Sequence, residues 1–241
     1  MKVLFVGDVH NHTYIFDDVK RLDDKYNFDR VIFLGDYVDD WNTDNYKSLE
    51  TLETLFKLKE NNPNKYTLLI GNHELSYLGY KCSGHQYELE DVMEMKLKEH
   101  IEDIDFYTSV RCDQNEYICT HAGLNNGYVD KILGGDNWKE TLEDMNKNKL
   151  FNLQQLSMCS YLRGGRDEFS SFLWTDKREH AYYALQEKKV PYQIVGHTPV
   201  PNVQLIGGIF YCDTHSTYRD GSEYGDKSYL LWLDRGFIIE S

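Results

Sequence analysis

Eight polar residues stand at the ends of short apolar runs. They are Asp8 and His10 in Gly-Asp-Val-His, Asp36 and Asp39 in Gly-Asp-Tyr-Val-Asp, Asn72 and His73 in Gly-Asn-His-Glu, His121 in Thr-His-Ala-Gly, and His197 in Gly-His-Thr-Pro. Together they are the residues of a two-metal site. Carboxylates mixed with imidazoles suit borderline divalent ions such as Mn, Fe or Zn better than Mg or Ca, which prefer oxygen alone. A single Gly-Asp or Gly-His pair is commonly just a turn. Five such motifs in order, each after an apolar run, outweigh that reading.

The runs themselves are the elements that must position these groups. Lys2-Val-Leu-Phe-Val, Arg30-Val-Ile-Phe-Leu and Tyr66-Thr-Leu-Leu-Ile read as buried strands, each closing on glycine and a polar residue. Between them, Ile15, Val19, Leu22 and Tyr26 recur at helical spacing, and Leu49, Leu52 and Phe56 mark a second helix. Strand, helix, strand, helix, strand is the pattern of a parallel sheet with helical crossovers, whose functional groups gather beyond the carboxyl ends of the strands. Further on, Leu89, Met93, Leu97 and Ile101 form a helical stripe, Asp105 to Arg111 and Glu116 to His121 read as strands, and Trp138–Leu150 and Lys177–Lys188 as helices. Tyr192 to Gly196, Val203 to Cys212 and Tyr229 to Ile239 read as the closing strands. With no repeat or Pro-rich linker, the expectation is one domain over residues 1–241.

Composition narrows the partners. The formal charge of −14 leaves no broad cationic footprint for nucleic acid or for an anionic membrane surface. No apolar stretch approaches the roughly 20 residues that span a bilayer, and the short run Val3–Val6 lacks the apolar region of a signal peptide. The 5 cysteines (Cys82, Cys112, Cys119, Cys159, Cys212) are odd in number and form no CxxC pair, pointing away from a disulfide framework and a zinc ribbon. A reducing, cytoplasmic setting is the expectation.

At this point the chain resembles the calcineurin-like metallophosphoesterases, and within them the Ser/Thr phosphoprotein phosphatase branch of bacterial and phage type. Gly71-Asn-His-Glu74, Gly196-His-Thr-Pro199, Leu173-Trp-Thr-Asp176 and Cys212-Asp-Thr214 carry the branch assignment. The resemblance implies a four-layer α/β/β/α sandwich with a dinuclear site at the strand rim. It places Asp8 and His10 on one metal, Asn72, His121 and His197 on the other, and Asp36 between both, with Mn2+ the expected ion and Fe or Zn the alternatives. It further implies attack on phosphorus by a hydroxide bridging the ions. His73 would protonate the leaving alkoxide, with Asp39 orienting that imidazole. The implied substrate is a phosphorylated protein or a small phosphoester, hydrolysed as a monoester.

Two departures stand out. The family's arginine after the second motif is Asp40 here, and the one that often precedes Gly-Asn-His-Glu is Ile70. Phosphoryl transfer leans on positive charge at the equatorial oxygens, so Arg163, Arg166 or Arg178 must supply it. Arg178 is favoured slightly because bacterial relatives carry an arginine close behind the tryptophan. For all three, a surface or structural ion pair is an equal alternative. The missing arginines also favour a rival, a nucleotide phosphodiesterase or dinucleotide-polyphosphate hydrolase. A non-catalytic scaffold is a lesser alternative, since degenerate members lose ligands and none is lost here. His215, where the family has glycine, lines the site or simply packs. His12 reads as a surface or structural ion pair in preference to a site residue, and His85, His100 and His180 as solvated. Cys119 reads as a buried strand residue, and Trp41, Trp138 and Trp232 as packing residues. The segment 125–170 is the expected place for substrate selection.

Overall fold

The computed structural model describes residues 1–41, 44–80, 89–182 and 189–241. Two β-sheets are flanked by helices. The first sheet takes β1 (Lys2–Val6), β2 (Arg30–Phe33), β3 (Tyr66–Leu69) and β4 (Ile104–Asp105) as parallel neighbours, and continues beyond β1 with antiparallel β10 (Tyr229–Leu233) and β11 (Gly236–Glu240). The second runs β5 (Thr108–Cys112), β6 (Asn115–Cys119), β7 (Gln193–Val195), β9 (Ile209–Tyr211), β8 (Gln204–Ile206), with β6, β7 and β9 parallel.

Strand alternation builds the layers. Val3, Phe5, Ile32, Leu34 and Leu69 point to one side, where they meet Val110, Cys119, Ile194 and Phe210 of the second sheet. Their neighbours Leu4, Val6, Val31, Phe33 and Leu68 point to the other side. There they pack on Ile15, Val19 and Leu22 of α1 (Tyr14–Tyr26) and on Leu52, Leu55 and Phe56 of α2 (Asn45–Asn61). Burial on both faces is why these strands are continuous apolar runs. The result is the expected α/β/β/α sandwich.

Several elements differ from the sequence expectation. Asp105 to Arg111 is not one strand: β4 and β5 belong to different sheets. Val203 to Cys212 is the hairpin β8–β9, turning at Gly207 and Gly208, and Tyr229 to Ile239 is the hairpin β10–β11, turning at Asp234, which has φ 50°. Trp138–Leu150 divides at Asn148 into α6 (Trp138–Lys147) and α7 (Lys149–Leu156). The helical stripe from Leu89 becomes α4 (Glu90–Glu99), with Met93 and Leu97 buried. α3 (Asn72–Tyr77) and α5 (Asn126–Lys131) have no counterpart in the sequence reading. α8 begins at Lys177 as expected and is described to Tyr182, the rest of that expected helix lying outside the described residues, as do Cys82 and His85.

Candidate active site

Five strands of two sheets end at one rim, β1, β2 and β3 of the first and β6 and β7 of the second, and the residues just beyond them form the site. The backbone there is unusual. His10 (φ 42°), Asn11 (63°), Asp36 (50°), Asp39 (61°) and His197 (62°) all occupy the left-handed region without being glycine. Such a conformation costs about 1 kcal/mol or more per residue and concentrates where function requires a fixed geometry. Glycine permits the closest approaches. A Cβ on Gly196 would lie 2.1 Å from Asp8 Oδ1, and one on Gly71 would lie 2.2 Å from Asp36 N.

The structure brings Asp8, His10, Asp36, Asn72, His121 and His197 together. The ligating atoms of His10, Asp36 and His73 lie within 4.8 Å of one another, as do those of Asp36, His121 and His197, so Asp36 belongs to both groups. Asp8 Oδ1 accepts the His197 N–H at 2.8 Å, and its Oδ2 is 3.7 Å from His10 Nε2. His10 Nδ1 is 2.7 Å from the Asp39 carbonyl and His121 Nδ1 is 2.8 Å from the Leu34 carbonyl. A carbonyl can only accept, so both Nδ1 atoms carry hydrogen and both Nε2 atoms of the neutral rings present lone pairs. His121 Nε2 then faces Asp36 Oδ2 at 3.2 Å, Asn72 Oδ1 at 3.0 Å and His197 Nδ1 at 3.1 Å. Among the described residues, the buried His197 Nε2 finds no hydrogen-bond partner. A proton on His121 or a metal ion would satisfy acceptors converging at this range, and tethered imidazoles are how proteins orient metal ligands.

Burial opposes a charge on the His121 imidazole, but Asp36 raises it above its ordinary range, so the protein's own groups pair the charged ring with that carboxylate. Burial, then the charges of Asp213 and Asp36, hold the Asp8 carboxyl well above its usual range. Asp36 lies well below its own range: burial opposes its charge, and His121 and His73 outweigh the burial. His197 is pushed well below the ordinary imidazole range, first by burial and then by the Arg163 guanidinium. His73 donates from Nδ1 to Asp39 Oδ2 at 2.9 Å. Burial opposes its charge, but Asp36 and Asp39 raise it to about 9.

A pocket of about 330 Å³ opens over these groups, and its walls include Asp40, Trp41, Arg163, Trp174 and Thr217. Of the three arginine candidates only Arg163 reaches it. Asp176 holds Arg163 Nε at 2.9 Å, and Arg163 Nη2 donates to Thr198 Oγ1 at 2.7 Å. Arg178, the favoured candidate, turns away: its Nε binds the other oxygen of Asp176 at 2.7 Å, its Nη2 binds the Leu162 carbonyl, and its side chain is 64% exposed. Arg166 is exposed and outside the pocket lining. His215 is buried beside Tyr14, its Nδ1 3.2 Å from the phenol oxygen, and does not line the pocket. His180, expected to be solvated, is buried with Nδ1 2.9 Å from the Tyr211 hydroxyl. Trp41, expected to pack, is 55% exposed at the pocket wall.

The sequence reading quoted Asp213 and Trp174 within motifs but gave neither a role in the site, and it did not single out Tyr77. Asp213 follows β9 as Asp8 follows β1, so the strand-end pattern could have found it. Tyr77 donates to Asp39 Oδ1 at 2.6 Å, and Trp174 meets His197 edge-on with ring centroids 5.9 Å apart. Nothing local in the sequence marks those contacts.

Comparison with known proteins extends the likeness over most of the chain. The serine/threonine-protein phosphatase 6 catalytic subunit of Drosophila melanogaster is 23% identical over 229 residues, covering 92% of this chain and 66% of the fly protein. The serine/threonine-protein phosphatase ppe1 of Schizosaccharomyces pombe is 31% identical over 129 residues, 51% of this chain and 39% of the yeast protein. This chain thus matches less than two thirds of the length of either relative. A solved serine/threonine phosphatase from Saccharomyces cerevisiae, described as similar to human phosphatase PP5, superposes with a TM-score of 0.64 at 17% identity, over 100% of this chain and 79% of that one. The family model for calcineurin-like phosphoesterases matches residues 1–201. By that match the chain belongs to the calcineurin-like phosphoesterases.

Proposed function

We propose that the chain is a dinuclear metal phosphomonoesterase of the phosphoprotein Ser/Thr phosphatase type, acting in the cytoplasm. Asp8 and His10 would hold one divalent ion, Asn72, His121 and His197 a second, and Asp36 both, with Mn2+ the expected occupant. Such ions supply positive charge to phosphate oxygens and make water acidic enough to deprotonate near neutral pH. The rest falls to the chain's own side chains. His73, with Nδ1 tied to Asp39, presents Nε2 as the donor that protonates the leaving alkoxide. Arg163 offers its guanidinium to the phosphate oxygens, and its ion pair with Asp176 and hydrogen bond to Thr198 hold the fork in place before substrate arrives.

The observation that carries a monoester preference is Arg163 in the pocket. It supplies the cation whose usual positions are occupied by Asp40 and Ile70. A second reading, hydrolysis of diesters, has one observation in its favour: Asp40 lines the same pocket, and a diester carries one fewer anionic oxygen against that carboxylate. Hydrolysis of nitrophenyl phosphate and bis-nitrophenyl phosphate in Mn-supplemented buffer decides between them. The monoester should be turned over with the higher kcat/KM, and a clear preference for the diester would overturn the assignment.

A further inference from the structure

Asp40 is an acid in the wall of a phosphate pocket, and it is firmly held there. Its Oδ1 accepts the Trp41 backbone N–H at 2.8 Å and the Thr217 hydroxyl at 2.8 Å, and its Oδ2 lies 3.4 Å from His12 Nε2. Burial opposes its charge, but the hydrogen bonds from His12, Thr217 and Trp41 lower it to about 2. The carboxylate is therefore anionic at any working pH. Fixed and with its side chain only 12% exposed, it acts on whatever enters the pocket more strongly than a mobile surface acid would. Next to it in the chain, Trp41 is 55% exposed and lines the same pocket. A fixed carboxylate beside an exposed indole is a pairing that favours a cation, which the carboxylate attracts by charge and the indole by its π face. Such a group repels phosphate, so it has no use in holding phosphate itself.

We propose that Asp40 and Trp41 select substrates bearing a lysine or arginine next to the phosphorylated residue. The phosphate would face the ligand cluster and Arg163, and the neighbouring basic side chain would lie on Trp41 with its charge toward Asp40. This rests on the phosphomonoesterase reading above and gives that reading a substrate class, basic phosphopeptides.

Three phosphoserine peptides that differ only in the flanking residue, Arg, Ala or Glu, test it alongside nitrophenyl phosphate as a reference without a flanking charge. For the wild-type protein kcat/KM should be about tenfold higher with Arg than with Glu, the effect of about 1.4 kcal/mol in the transition state. Asp40→Asn keeps an acceptor for Thr217 and the Trp41 N–H and should bring the three peptides to within about twofold, since only the charge is lost. Asp40→Glu should keep the order Arg over Glu, and Asp40→Arg should reverse it. Trp41→Ala should narrow the preference by about twofold to fivefold. Equal rates on the three peptides by a wild-type protein that hydrolyses nitrophenyl phosphate would overturn the role of Asp40 alone. Failure on every monoester would instead overturn the reading on which it rests.

Discussion

Both oxygens of Asp39 are committed at the residue scale, Oδ2 to His73 Nδ1 at 2.9 Å and Oδ1 to the Tyr77 hydroxyl at 2.6 Å. Tyr77 is 1% exposed, so its hydroxyl fixes the carboxylate plane from the protein interior while His73 takes the pocket side. An aspartate so placed sets the tautomer of the imidazole and favours its charged form. Asp39→Asn can offer an amide N–H to Nδ1 and so select the wrong tautomer. Its kcat should fall about 10²–10⁴-fold, the contribution of a correctly protonated general acid, while metal content by elemental analysis stays at the wild-type level. Tyr77→Phe removes the hydrogen bond to Asp39, and kcat should fall about 2–10-fold. If Tyr77 acts through His73, that fall should vanish in the His73→Asn background. An undiminished effect there would assign Tyr77 to packing instead.

The element scale turns on one side chain that reaches from α3 across to the loop after β2. Glu74 Oε2 accepts from Asp36 N at 3.0 Å and Gly71 N at 2.9 Å, and Oε1 accepts from Tyr37 N at 2.7 Å and Val38 N at 3.3 Å. Four backbone donors from two strand ends therefore meet on one fully buried carboxylate. Glu74→Gln would turn an amide NH2 toward two of those N–H groups. Leaving two buried donors unmatched costs about 2–4 kcal/mol, so Tm should drop by about 5 °C or more at this chain length. His73→Asn, on the pocket side of the same helix, should shift Tm far less. An unchanged Tm in Glu74→Gln would show that the brace is dispensable. The sequence made the strands of the first sheet legible because both of their faces are buried, and it made the residues gathered at the rim legible because each follows its strand within a few residues. It did not reveal α3, whose six residues are too few to show a helical period, nor the division of Asp105 to Arg111 between two sheets, which is a choice of distant partners. The preference for Arg178 over Arg163 failed to match the observed placement for the same reason. Asp176 binds both guanidinium groups, and only the fold determines which of them is left facing the pocket.

For the whole molecule, a net charge of −14 is more than a solvated surface. Asp8, Asp36, Asp213 and Glu74 are all at most 2% exposed, and Asp8 is raised by its neighbours' charges as well as by burial. Acids so concentrated repel one another and lower the stability of the fold that gathers them, unless cations sit among them. Ions that bind the folded chain and not the unfolded one add about 2.7 kcal/mol at a hundredfold excess over Kd. At about 2–4 °C per kcal/mol for a protein of this length, Mn2+ should raise the Tm of chelator-treated protein by about 5–10 °C, read by scanning calorimetry. Asp36 belongs to both ligand groups, so Asp36→Asn should remove most of that gain and abolish turnover as well. The same variant should melt lower than wild type when both are metal-free, because His121 and His73, against the effect of burial, hold the Asp36 carboxyl well below its ordinary range and that favourable pairing is lost. If Mn2+ leaves the wild-type Tm unmoved, the cluster is a polar core that needs no ion, and the two-metal assignment fails with it.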